Sequence, residues 1–136
     1  MKINFILNGE DVTVDTNADT KLIDILRNIF ALRETKLGCG CGMCGGCSVF
    51  LNGALVNACL VPAFKVRNNE VITIEGFLQT GECHDIISAI EKTGFQTCGF
   101  CTASKILVIE SLITKNYLPD EKEILAAFQG NRCRCK

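Results

Sequence analysis

The chain has 136 residues, with 14 lysines and arginines, 15 aspartates and glutamates, and a formal net charge of −1. That length fits one ordinary domain or two small ones. The balanced charge argues against a nucleic-acid-binding protein, which would carry a strong basic excess. With 48% hydrophobic and 21% charged residues, the chain is not expected to be disordered. Its ten cysteines require an explanation by disulfides, metal or redox chemistry.

The cysteines are expected to be reduced thiols. The first residues do not have the pattern of a secretory signal, because Asn4 and Asn8 interrupt the apolar stretch and Glu10 and Asp11 follow it. No segment has the about 18 consecutive apolar residues of a membrane helix, so membrane insertion is not expected. These features predict a cytoplasmic protein, and disulfides are rare in that compartment. A metal site is therefore the leading explanation for the cysteines.

The N-terminal part of the chain has the pattern of two β-hairpins. Alternating apolar residues on both sides of Asn8-Gly9, a strong turn signal, predict two strands over residues 2–15. A second hairpin is predicted over residues 48–58, with its turn at Asn52-Gly53. Between the hairpins, apolar residues recur at helical spacing from Leu22 to Phe30, which predicts one helix.

The C-terminal part changes to a helical pattern. One helix is predicted around residues 86–90 and should end at Gly94. Residues 106–113 are mostly apolar, which predicts a helix that is buried over most of its surface. A third helix should begin near Pro119, since proline and acidic residues suit a first turn, and end at Gly130.

A last strand over residues 71–74 completes the N-terminal unit before the pattern changes. The sequence thus predicts two domains, at residues 1–76 and 77–136. The first is an α+β unit of two hairpins, one helix and a closing strand. The second is a small helical bundle, and domains of that size bury little surface and often need a bound metal or a cross-link for stability. Its clustered cysteines could bind such a metal.

The first set of cysteines has the ligand spacing of a plant-type [2Fe–2S] cluster. Cys39, Cys44 and Cys47 follow the pattern C-x4-C-x2-C, and Cys59 comes further along the chain. Glycines between them let the backbone approach a ligand and turn its N–H groups toward sulfur. The alternative is a four-cysteine structural zinc site, but the x4 gap with its run of glycines is unlike the usual zinc spacing. A disulfide framework is the least expected.

The second set consists of a C-x2-C and a C-x-C. Cys98 and Cys101 come just before the buried helix, and Cys133 and Cys135 follow the third helix. If those helices pack side by side, the four sulfurs meet at one end of a small bundle, where four thiolates suit another [2Fe–2S] cluster. On spacing alone this set is weaker than the first, and a structural zinc site stays open as the alternative.

Three further residues with metal-binding chemistry have simpler interpretations. Cys41 and Cys83 are expected to be thiols without a ligand role, although Cys41 could substitute as a ligand because it lies two residues from Cys39. His84, the single histidine, lies at a helix start, where a capping or surface role is expected. The chain shows no evident catalytic acid, base or nucleophile.

The cysteine segments resemble those of a known family. Residues 38–49 (GCGCGMCGGCSV) resemble the first-cluster loop of the iron–sulfur subunit of the molybdenum hydroxylases, the family of xanthine dehydrogenase and aldehyde oxidoreductase. Residues 98–102 (CGFCT) and 130–135 (GNRCRC) resemble its second-cluster motifs. The similarity covers almost the whole chain in order, and every ligand position of the family is filled.

The resemblance implies a fold, cofactors and partners. The first domain would be a β-grasp ferredoxin domain and the second a four-helix domain. Two [2Fe–2S] clusters would be bound, one by Cys39, Cys44, Cys47 and Cys59 and the other by Cys98, Cys101, Cys133 and Cys135. The partners would be a large molybdopterin-binding subunit and usually a FAD-binding subunit. The chain would then relay electrons during hydroxylation of a heterocycle or aldehyde, with no catalytic residue of its own.

The resemblance also implies contacts with the pterin on the large subunit. Cys135 matches the ligand whose sulfur approaches the pterin. The family often has a glutamine directly before Cys98; here Thr97 holds that place and Gln96 comes one residue earlier. Gln96 and Thr97 are therefore the candidates for that contact. The alternative functions are a free-standing two-cluster ferredoxin and a structural zinc-binding module.

Overall fold

The architecture is a five-stranded mixed sheet followed by helices, as seen in a computed structural model that describes residues 1–36, 47–93, 102–115 and 120–128. The strand order is β2-β1-β5-β3-β4; β1 and β5 are parallel, and the other neighbouring strands are antiparallel. The α+β class predicted from the sequence is confirmed. The strands are β1 (Lys2–Leu7), β2 (Glu10–Asp15), β3 (Ser48–Leu51), β4 (Ala54–Asn57) and β5 (Glu70–Ile72).

Both predicted hairpins are confirmed, and both turn through an asparagine and a glycine with positive φ. Asn8 and Gly9 have φ values of 52° and 86°, and Asn52 and Gly53 have values of 51° and 85°. A two-residue turn with positive φ at both positions matches the right-handed twist of the strands. The second hairpin ends at Asn57, one residue earlier than predicted.

The predicted helix after the first hairpin is present but irregular. It begins as α1 (Leu22–Asp24) and continues as a π-helical turn (Ile25–Ile29), in which the Phe30 N–H donates to the Ile25 carbonyl at 3.2 Å. Its apolar residues cover one face of the sheet, and four of them are completely buried: Leu22, Ile23, Ile25 and Leu26.

The strand predicted over residues 71–74 is displaced, because two turn asparagines determine where β5 begins and ends. At one end, Asn52 Oδ1 accepts the Glu70 N–H at 2.8 Å. At the other end, Asn8 Oδ1 accepts the Thr73 N–H at 2.8 Å, and Asn8 Nδ2 donates to Thr73 Oγ1 at 3.0 Å. Strand pairing therefore stops at Ile72, and a short helix α2 (Ile74–Phe77) follows. The domain boundary predicted between residues 76 and 77 falls within α2.

The three predicted C-terminal helices are confirmed as α3 (Gly81–Thr93), α4 (Thr102–Lys115) and α5 (Glu121–Phe128). The predicted end points at Gly94 and Gly130, and the start near Pro119, lie outside the described residues. Helix α4 is buried from Ser104 to Val108, half-buried to Leu112 and exposed at Ile113. The prediction of a mostly buried helix is thus right for its first half only. Among the described helices, none has the length and apolar character needed to cross a membrane.

The sheet carries an apolar core on each face, and strand β3 contributes to both. Val49 belongs to the core beneath α1, together with Ile3, Phe5 and Leu7 of β1. The next residue, Phe50, belongs to a second core formed with the helices, and its ring meets that of Phe77 edge-on at 6.4 Å. The other buried members of the second core are Ile74, Cys83, Ile86, Ile106 and Leu107. The helical part therefore completes its core with a side chain from the sheet.

Candidate metal centres

The second hairpin brings two predicted ligands of the first cluster into contact. Cys47 directly precedes β3, and Cys59 lies in the 3₁₀ turn Ala58–Leu60 that follows β4. Because β3 and β4 are antiparallel neighbours, the residues flanking them come together at one end of the hairpin. The Cys59 N–H points at Cys47 Sγ across 3.4 Å, and the Ala58 N–H donates to the Cys47 carbonyl at 3.2 Å.

The surroundings of this pair fit a metal-bound thiolate site. Cys47 and Cys59 are each 2% exposed and belong to the first apolar core, beside the fully buried Ala58 and Ala63. A backbone N–H directed at a sulfur is the kind of donor that stabilises a thiolate ligand and tunes a cluster. Neither cysteine is in a disulfide. Two buried sulfurs, an N–H donor and a dry apolar wall are what one side of a [2Fe–2S] cluster requires.

The other predicted site residues lie outside the described residues: Cys39, Cys41, Cys44, Gln96, Thr97, Cys98, Cys101, Cys133 and Cys135. Of their flanks, the structure places Lys36 before the first-cluster loop, Thr102 at the start of α4, and Phe128 at the end of α5. Within the described ranges, no three His, Cys, Asp or Glu side chains are grouped as a metal would need.

The segment before the first-cluster loop is held by side chains that the sequence analysis did not single out. Arg27 Nη1 donates to the carbonyl oxygens of Arg33 at 3.0 Å and of Thr35 at 2.8 Å. The Glu34 N–H donates to Glu75 Oε2 at 3.0 Å. Each of these contacts joins a side chain to the backbone, six and eight residues away for Arg27 and 41 residues away for Glu75, and no motif in the sequence indicates them.

Cys83 is a residue of the second core. It is fully buried at the start of α3, and its N–H donates to Thr80 Oγ1 at 3.2 Å. Burial, and secondly the nearby Glu110 carboxylate, raise the pKa of the Cys83 thiol. Burial, and secondly Glu82, also raise the pKa of Glu110. A protonated, enclosed thiol is a poor nucleophile and metal ligand, and the absence of a ligand role for Cys83 stays a prediction. The neighbouring His84 is exposed, as expected.

Comparison with known proteins places this arrangement in a family. Residues 5–69 match the family model described as a 2Fe-2S iron-sulfur cluster binding domain, and residues 73–136 match that of a [2Fe-2S] binding domain. The nicotinate dehydrogenase small FeS subunit of Eubacterium barkeri is 38% identical over 133 residues, which cover 98% of this chain and 85% of that protein. A probable xanthine dehydrogenase subunit of Bacillus subtilis (strain 168) is 39% identical over 130 residues, covering 95% and 74%. The chain belongs to the iron–sulfur subunit family of the molybdenum hydroxylases.

A solved structure supports the same assignment. The crystal structure of quinoline 2-oxidoreductase from Pseudomonas putida 86 contains a chain that aligns with a TM-score of 0.88 and 30% identity, over 100% of this chain and 84% of that chain. The predicted family, fold and pair of [2Fe–2S] clusters are thereby confirmed. As a member of this family, the chain is an electron-transfer subunit of a multi-subunit oxidoreductase. The alternative of a structural zinc module finds no support in these comparisons.

Proposed function

We propose that this chain carries electrons from the molybdopterin site of a large partner subunit to a FAD-binding subunit, or to another acceptor, in the cytoplasm. When bound, the two clusters supply one-electron carriers, so that a two-electron oxidation of a heterocycle or aldehyde is divided into single-electron steps. The observation that carries the proposal is the buried contact between Cys47 and Cys59, two sulfur ligands held together by the second hairpin.

The chain's connectivity supports Cys39 and Cys44 as the other ligands of the first cluster. Cys44 comes three residues before Cys47, so its Cα lies within about 11 Å of that of Cys47. Together with Cys39, five residues earlier, Cys44 completes the C-x4-C-x2-C spacing of a plant-type [2Fe–2S] site.

The lengths of α4 and α5 support a second ligand set. Helix α4 has 14 residues and α5 has 8, so their lengths are about 21 Å and about 12 Å. The short connection between them favours an antiparallel pair. Because α5 is about 9 Å shorter than α4, the last residue of α5 would lie about 9 Å from the first residue of α4 along the helix axes. The five residues from Phe128 to Cys133 span up to about 17 Å. Cys133 and Cys135 can therefore reach Cys98 and Cys101, which directly precede α4.

The chain's own contribution is to bind, separate and insulate the carriers. Each cluster with four thiolates carries a charge of about −2, so it needs inward N–H donors such as that of Cys59. We propose that Cys135 is the ligand next to the pterin, with Gln96 or Thr97 as the contacting residue. No catalytic role on this chain is required, since the large partner subunit selects and oxidises the substrate.

The ligand assignment is tested by anaerobic purification of the chain with its native partners. We expect four iron and four acid-labile sulfide per chain, two distinguishable EPR signals after reduction, and molybdenum in the co-purifying complex. Cys59→Ala should remove one signal and half of the iron, because it deletes one ligand of the first cluster. The matched control is Cys83→Ala, which should retain both signals.

Three results would contradict the proposal. Full iron content in the Cys59→Ala protein would exclude Cys59 as a ligand. A colourless, zinc-containing wild-type protein would favour the structural module. Two clusters without any molybdenum-containing partner would favour a free-standing ferredoxin.

A further inference from the structure

The backbone that leads into the first-cluster loop is clamped from two directions. From one side, the guanidinium of Arg27 bonds the carbonyls of Arg33 (3.0 Å) and Thr35 (2.8 Å) through the same nitrogen. From the other side, the carboxylate of Glu75 receives the Glu34 N–H at 3.0 Å. Three consecutive residues are thus tied through their main chain, and Thr35 is 2% exposed.

The two clamping residues come from different parts of the fold. Arg27 lies in the π-helical turn of the first core, and Glu75 lies in α2, 41 residues along the chain from its partner Glu34. Arg27 and Glu75 make these bonds to backbone atoms, whose identity does not depend on the side chains at 33–35. The clamp therefore fixes the backbone of residues 33–35 and not their side chains.

The position of that path limits where the loop can go. Cys39 is four residues after Thr35, so a fixed Thr35 keeps the Cys39 Cα within about 14 Å. The other end of the loop is fixed at Cys47 by the hairpin. A loop held at both ends loses less conformational entropy when it closes on a ligand.

The clamp also contains the two buried side-chain oxygens that have no hydrogen-bond partner in the described part of the chain. They are Thr35 Oγ1 and Glu75 Oε1. A buried polar atom without a partner is destabilising, and in a native protein it calls for an explanation. Glu75 Oε1 belongs to the carboxylate that accepts the Glu34 N–H, and Thr35 directly follows Glu34, so the residues of this joint are not arranged for stability alone.

We propose that Arg27 and Glu75 are positioning residues for the first cluster, which hold residues 33–35 so that Cys39 meets the Cys47–Cys59 pair. The inference rests on the proposed ligand set. Neither residue contacts a predicted ligand among the described residues; both act through the backbone. Loss of either clamp loosens the approach of Cys39, while the second cluster, bound by residues of the C-terminal half, is unaffected and provides an internal reference.

The test compares six variants of the complete, iron-loaded chain under anaerobic conditions. Arg27→Met and Glu75→Leu remove the clamps, whereas Arg27→Lys and Glu75→Gln retain a donor or an acceptor. The controls are Arg67→Met and Glu91→Leu, which change exposed residues outside the clamp. For each variant, iron release to a chelator and the midpoint potential are followed separately through the EPR signal of each cluster.

We expect Arg27→Met and Glu75→Leu to release first-cluster iron about tenfold faster, since Arg27→Met loses two hydrogen bonds and Glu75→Leu loses one, all made by a charged group. The first-cluster potential should shift in the same two variants, and the second-cluster signal should not change. Glu75→Gln should behave like the wild type because its amide oxygen still accepts the Glu34 N–H. Arg27→Lys should be intermediate, because its ammonium keeps the charge and the N–H donors but differs from the guanidinium in reach and shape.

Equal loss of both clusters would overturn the proposal, because it would indicate a general loss of stability. An unchanged first cluster in Arg27→Met and Glu75→Leu would also overturn it. If those two variants fail to fold, Arg27→Lys decides the question: faster iron release from the first cluster alone, relative to Glu75→Gln and the controls, supports the proposal, and release equal to that of the controls overturns it. The absence of two clusters from the wild-type chain would instead refute the proposed function.

Discussion

Replacing Gly76 by alanine should break the contact between the first hairpin turn and helix α2. A Cβ atom on residue 76 would lie 2.9 Å from Asn8 Cβ and 2.5 Å from Asn8 Cγ, and would overlap Asn8 Oδ1. The Asn8 side chain must then rotate away and lose its bonds to the Thr73 N–H and Oγ1. Because Thr73 is fully buried, its N–H would have no replacement partner.

The magnitude follows from these losses. An unsatisfied buried donor costs about 1–3 kcal/mol and a second hydrogen bond about 1 kcal/mol, while alanine in place of glycine in a helix returns up to about 1 kcal/mol. We therefore expect the free energy of unfolding to fall by about 2 kcal/mol. The assay is guanidinium unfolding followed by far-UV circular dichroism, with all variants in the same iron-loaded, anaerobic state.

Two comparisons make the result specific. Gly81→Ala is the matched control, since a Cβ there meets nothing within 4 Å, and its stability should stay within about 0.5 kcal/mol of the wild type. In an Asn8→Gly background, which keeps the positive φ and removes the obstructing side chain, Gly76→Ala should no longer destabilise. If Gly76→Ala costs as much in that background as in the wild type, the reasoning is refuted.

Three further variants test other parts of the structure. Phe50→Ala should lower the free energy of unfolding by about 3–4 kcal/mol, measured by guanidinium unfolding, because it removes the ring that closes the core shared by the sheet and the helices. Glu110→Gln should raise stability at neutral pH. The pKa of Glu110 is raised in the folded state, so its stabilising contribution is present below the ordinary value of 4.5 and is lost as the pH increases through the raised pKa; the gain from Gln should therefore disappear in acid. Glu91→Gln, at an exposed position, is the control. Lys105→Met should lower the midpoint potential of the second cluster, because Lys105 is buried near the start of α4 and its loss removes a positive charge that favours the more negative, reduced cluster. An unchanged potential would refute this role of Lys105.

Features decided by neighbouring residues could be predicted from the sequence. Asn8-Gly9 and Asn52-Gly53 each form a two-residue turn because asparagine and glycine tolerate positive φ. The position of the turn then determines the hairpin and its register. The end of β5 could not be predicted in the same way. Thr73 leaves the sheet because Asn8, 65 residues away in sequence, captures its N–H. The π-helical turn at Ile25–Ile29 is likewise not apparent in a helical apolar pattern.

The candidate metal sites also contain features that the sequence predicts and features that it does not. Cysteine spacing indicated two four-thiolate sites, and the structure brings Cys47 and Cys59 together as expected. Spacing could not decide between zinc and iron at the second set, since both metals take four thiolates; the family match decides it. Arg27 and Glu75 could not be found from the sequence because they contact main-chain atoms, which any residue provides, and in the case of Glu75 the contacted residue is 41 positions away.

Strand β3 couples the sheet to the helical part of the chain, because it contributes to both apolar cores. Val49 and Phe50 point to opposite faces, so pulling the helices from the sheet would open the second core, and the same strand also lines the first. The sheet and the helices packed on it therefore move together as one unit. We expect an electron-transfer subunit built in this way to work as a rigid conductor rather than as a mobile shuttle.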